Sequence, residues 1–121
     1  MKTLLAAVAV LALTVAHAAA QEERPAGLAG LTMNEWQGCG YVQLALGQMS
    51  GADASECAEI KAKLNGNAGA CYGLVVQAYM RDHGNVMPPR EVRSLGMFGC
   101  AMLVVDIPEA RAREAAKATI K

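Results

Sequence analysis

The sequence predicts an all-α fold: a small disulfide-bonded bundle of four core helices followed by a polar C-terminal helix. Apolar residues recur at steps of three and four along four successive segments, the spacing that lines up one face of a helix. Helix-stopping residues such as Asn65-Gly66, Gly84 and Pro108 separate those segments. Nowhere do β-branched residues alternate with polar ones over a strand's length, so no sheet is expected.

Residues 1–20 are expected to be a cleavable export signal. Met1 and Lys2 give a positive start, Leu4 to Ala16 is apolar apart from one Thr, and small residues follow. Both Ala16-His17-Ala18 and Ala18-Ala19-Ala20 suit the protease, the bond after Ala20 being preferred because Gln21-Glu22-Glu23 is polar. The apolar run is too short to span a bilayer, which needs about 20 residues. No membrane attachment is expected after cleavage. Residues 21–31 (QEERPAGLAGL) hold no sustained period and read as a flexible arm, leaving residues 32–121 as a single helical domain.

Thr32-Met33-Asn34-Glu35 is a capping box, in which hydroxyl and carboxylate each satisfy a backbone N–H at a helix start. Trp36, Cys39, Val42, Leu46 and Met49 then share a face, and Ser50-Gly51 is expected to end the helix. Asp53 and Glu56 repeat the opening for a second helix that turns Cys57, Ile60 and Leu64 inward and stops at Asn65-Gly66. Asn67 caps a third, in which Cys71, Leu74, Val75 and Ala78 form one apolar face and Tyr72, Val76 and Tyr79 another. Two apolar faces suggest a central position.

Gly84 closes that helix, and Asn85-Val86-Met87-Pro88-Pro89 must be a loop because each proline disfavours helix in the residue before it. The fourth helix runs from Arg90 with Val92, Leu95, Phe98, Gly99, Met102 and Leu103 on one side. Asp106-Ile107-Pro108-Glu109 reads as the cap of the last helix, which is alanine-rich with alternating charge. Glycines 38, 40, 47, 73, 96 and 99 fall within these helices, each costing roughly 1 kcal/mol relative to alanine. Close backbone approach at helix crossings is the expected compensation.

All four cysteines, Cys39, Cys57, Cys71 and Cys100, lie beyond the signal, and an even count in an exported chain implies two bridges and a periplasmic or secreted location. Zinc is disfavoured: there is no C-x-x-C pair and only one histidine, His83, beyond the signal. Spacing does not select among the three pairings; the nested one, Cys39 with Cys100 and Cys57 with Cys71, is favoured. Chain entropy would give those bridges about 4 and about 3 kcal/mol.

Charge and chemistry narrow the function. The chain carries 11 basic and 11 acidic residues, and loss of Lys2 with the signal tips the balance to −1, so no basic footprint for nucleic acid remains. Catalytic candidates are few. Ser50, Ser55 and Ser94 stand outside any G-x-S-x-G elbow, a Cys–His pair would need a free thiol, and Glu56 and Glu59 read as a solvated helix face. Neither catalytic residues nor a metal or cofactor site is expected. His83 suits a helix C-terminus and Trp36 suits the core. The remaining feature is the loop His83-Gly84-Asn85-Val86-Met87-Pro88-Pro89-Arg90-Glu91, where Val86 and Met87 stand beside a stiff proline pair. Such a loop either presents apolar tips at low entropic cost or folds them inward as a lid. Arg81, Asp82, Arg90 and Arg93 provide a polar rim.

The segments Tyr79 to Asn85, Glu91 to Leu95 and Phe98 to Met102, together with Asn34-Glu35-Trp36 and Cys39, resemble the periplasmic amidase immunity proteins of type VI secretion systems. That resemblance implies a non-enzymatic inhibitor, often a homodimer, whose partner is a cognate peptidoglycan amidase. It also implies that Asn85 to Pro89 enters the amidase cleft. His83, Asn85, Val86, Met87, Pro88 and Arg90 are then the expected partner-binding residues. A periplasmic stress chaperone, or another small helical binding protein, is the alternative.

Overall fold

The computed structural model describes residues 24–48 and 53–120. The expected signal, residues 1–20, lies outside them, as do Met49, Ser50 and Gly51. Among the described residues there are five helices and no strand: α1 (Met33–Ala45), α2 (Ala54–Leu64), α3 (Ala68–Asp82), α4 (Arg90–Val105) and α5 (Glu109–Thr119). None is long and apolar enough to cross a membrane.

The capping box forms as read. Thr32 Oγ1 accepts from Glu35 N at 3.1 Å, and Glu35 Oε1 accepts from Thr32 N at 2.8 Å. Asp53 and Asn67 cap α2 and α3 by the one-sided bond alone, each accepting from the N–H three residues on, so the reciprocal bond expected from Glu56 does not form. At the other end α1 stops earlier than expected. Gly47 takes φ +78°, Gly47 N donates to Leu44 O and Gln48 N to Gln43 O, so the left-handed glycine ends the helix at Ala45 instead of continuing it to Ser50. Residues 28–31 also depart from a free arm: Leu31 N bonds Leu28 O at 2.9 Å and the Leu31 side chain is buried in the core.

The central helix is α4, not α3: α1, α3 and α5 all pack on it. Its glycines decide this. A Cβ on Gly99 would lie 2.9 Å from Tyr41 Cβ and 3.1 Å from Gly38 O, and one on Gly96 would lie 2.8 Å from Val75 Cγ1. Gly38 meets the same crossing from the α1 side, where a Cβ would come within 2.5 Å of Leu103 N. Gly38 and Gly99 thus let α1 approach α4 to backbone distance, and Gly96 makes room for the Val75 side chain of α3, the compensation expected for them. Gly40 and Gly73 face open space and have no such role.

Two apolar clusters result. Leu31, Val42, Val75, Leu103 and all four cysteines fill one, with Trp36 half-buried against it. Phe98, Met102, Ala112 and Ala116 form the other, which docks α5 through its alanines. Tyr41 meets Phe98 edge-on at 5.0 Å, and the Arg113 guanidinium lies 4.3 Å over the Phe98 ring. The Tyr41 hydroxyl donates to Glu109 Oε1 at 2.5 Å, and Arg113 Nε donates to Glu109 Oε2 at 2.8 Å. The bond to the Glu109 carboxylate, reinforced by burial, raises the Tyr41 pKa.

The sulfurs pair in consecutive order, Cys39 with Cys57 and Cys71 with Cys100, with Cα separations of 6.0 and 5.7 Å. The nested pairing expected from the sequence is therefore overturned. Cys100 faces α3 because the crossing at Gly96 brings Val75 and Cys71 alongside α4, leaving Cys39 to α2. Asp106 is likewise not a cap of α5, which begins after Pro108 without a side-chain cap. Instead Asp106 closes α4 in the left-handed conformation, φ +58°, and its carboxylate accepts from Thr32 Oγ1 at 2.6 Å, tying the start of α1 to the end of α4.

Candidate functional site

The loop between α3 and α4 is built from two anchored ends. His83 stacks on Tyr79 with ring centroids 3.8 Å apart, and its Nδ1 lies 2.9 Å from the Tyr79 carbonyl oxygen, so the helix end holds the ring flat. Gly84 and Asn85 are both left-handed, at φ +64° and +66°, and Asn85 N donates to Met80 O at 2.8 Å. Glycine and asparagine are the residues that adopt this geometry most readily, which explains why the turn is placed here. On the far side Pro88 is buried, its carbonyl accepts from Arg93 Nε at 3.1 Å, and Pro89 leads into α4.

Between these anchors Val86 and Met87 project, each 58% exposed. The inward-folded lid is not what forms. Arg90 follows on the exposed first turn of α4. Of the expected partner-binding residues, Val86, Met87 and Arg90 are thus exposed, His83 and Asn85 shape the turn, and Pro88 is buried as its anchor.

The sequence reading missed a groove of about 480 Å³ beside this end of the bundle, lined by Leu46, Leu74, Gln77, Ala78 and Arg81. Leu74 was expected on the buried face of α3; it is 53% exposed, because α3 meets α4 along the narrow strip of Cys71 and Val75. Leu44 is exposed as well.

Glu35 is the buried charge of the molecule's described part. Besides holding Thr32 N, it pairs with Lys61 of α2, and Arg24 approaches its Oε1 at 3.7 Å. Burial pushes its pKa up, but the Lys61 ammonium, the Thr32 N–H and Arg24 together outweigh that and hold it below its ordinary 4.5. Because the folded value is the lower one, the unfolded chain takes up protons first on acidification. The stabilisation is complete above pH 4.5 and is lost as pH falls through the folded value. Glu35→Gln is expected to cost about 2 kcal/mol at pH 7. In urea titrations, the gap between variant and wild type should narrow towards pH 3.

Among the described residues all four cysteines are bridged, and no three of His, Cys, Asp and Glu gather as metal ligands. Fold and loop together define a class: a disulfide-braced helical bundle presenting an apolar loop from a fixed stem. Comparison with known proteins gives no matching family model, no matching curated protein and no matching solved structure.

Proposed function

We propose that this chain is an exported immunity protein that binds a peptidoglycan amidase delivered by a type VI secretion system and blocks its active-site cleft. It acts in the periplasm and performs no chemistry of its own. The observation that carries this reading is the pair Val86 and Met87, exposed on a loop whose two ends are fixed by the Tyr79–His83 stack and the buried Pro88. A preorganised apolar tip loses little conformational freedom on entering a cleft, so its burial is available to binding. Two bridges suit an oxidising compartment, and the resemblance of the helix–loop–helix segment to amidase immunity proteins supplies the partner.

The test is inhibition of such an amidase by Val86→Asp and Met87→Asp. Each is expected to weaken inhibition about 100-fold, the effect of losing a central interface anchor, with no change in thermal midpoint. Unchanged inhibition rejects the loop as the binding element. A second reading, an acid-stress chaperone, is favoured by the Glu35–Lys61 pair, whose loss at low pH loosens α2. Suppression of aggregation of unrelated proteins below pH 4, without partner selectivity, distinguishes it.

A further inference from the structure

Helix α2 is attached to the bundle by few groups. It buries only Cys57 and Leu64, with Ala58 and Ile60 resting half-covered on the core, and it touches α1, α3 and α4 only at its edges. Its other tether is Lys61 to Glu35. An open surface groove of about 370 Å³ runs between Ala58, Lys61 and Ala62 and the turn Ala29-Gly30-Leu31. By contrast, α4 meets α1 at backbone distance and meets α3 through Val75 packed on Gly96, and Cys71–Cys100 lies inside the latter contact.

We propose that α2 is a redox-latched flap: reduction of Cys39–Cys57 frees it as a unit, while α1, α3, α4 and α5 stay folded around Cys71–Cys100. All four cysteines are buried, so a reductant reaches a bridge only when the segment covering it opens. Opening free energy follows local packing, and α2 is held by less apolar contact than the α3–α4 pair. Reduction proceeds by a dithiol. One thiolate attacks a sulfur of the bridge, the Cys39–Cys57 bond breaks, and the other cysteine leaves as thiolate. The reductant's second thiolate then attacks the reductant sulfur of the mixed disulfide and expels the remaining cysteine as thiolate, so that two electrons and two protons pass to the cysteines and the reductant closes into its own disulfide. The freed flap uncovers Cys39, the partner of Cys57, and Leu31, which shares a groove with Ala58 of α2, giving the bundle a second apolar face that exists only in the reduced form.

The full oxidised chain, exposed to graded dithiothreitol and trapped with N-ethylmaleimide, is expected to label Cys39 and Cys57 about tenfold sooner than Cys71 and Cys100. In the double variant Cys39→Ser, Cys57→Ser, amide exchange over residues 54–64 is expected to rise at least tenfold, with residues 92–103 retaining their protection. Simultaneous labelling of both bridges, earlier labelling of Cys71 and Cys100, or loss of protection throughout the double variant would overturn the proposal.

Discussion

Gly38→Val is expected to lower stability by about 3 kcal/mol or more, an upper-range overpacking effect. The reason is that the new Cβ would sit 2.5 Å from Leu103 N, 2.6 Å from Met102 Cβ and 2.7 Å from Gly99 O, all of them fixed parts of α4. No rotamer relieves a clash made by the Cβ itself, so α1 must lift from the central helix. For a domain of this size, 3 kcal/mol corresponds to a fall in thermal midpoint of about 12 °C or more. Gly40→Ala, two residues further on, is expected to change stability in the opposite direction by about 0.5 to 1 kcal/mol, since nothing lies within 4 Å of its Cβ and alanine is the better helix former. Urea titrations of the two variants check the pair, and equal effects would show that the crossing is not set by Gly38.

Phe98→Ala is expected to cost about 3 to 5 kcal/mol, the range for truncating a buried aromatic. Phe98 is the buried ring of the second cluster, and it supports Tyr41 on α1, the Arg113 guanidinium on α5 and Met102 on its own helix. Its loss leaves Ala112 and Ala116 without a filled surface opposite. The damage should therefore be uneven. Hydrogen exchange over residues 109–119 is expected to accelerate more than over residues 71–80, which pack on the other side of α4. A uniform acceleration would mean that α5 does not dock through this ring.

Local chemistry was legible in the sequence, and geometry between helices was not. The capping box at Thr32, the caps at Asp53 and Asn67 and the stop at Asn65-Gly66 each involve residues within a few positions of one another, so their side-chain types carry the answer. The choice of central helix depends on which glycines face a neighbour, and Gly38 and Gly40 look alike until α4 is placed. The bridge pairing inherits the same ambiguity, because it follows from which helix lies beside which. Glu35 was readable as a cap, whereas its partner Lys61 lies 26 residues away on another helix. In the loop, the two prolines and Gly84 gave the position of the turn. That Pro88 turns inward and Leu74 outward depends on how narrowly α3 meets α4, which periodicity alone does not record.

The order of the sulfurs has a bearing on how the chain matures. The first cysteine is joined to the second and the third to the fourth, so an oxidant acting on the chain as it emerges, N-terminus first, makes the correct bonds simply by pairing each new thiol with the one left open. The dominant contact, α1 against α4, closes only when residues near Leu103 arrive, late in synthesis. A first bond between Cys39 and Cys57 shortens the waiting chain without needing that contact. Maturation by this route requires an oxidase but no enzyme to reshuffle mispaired thiols.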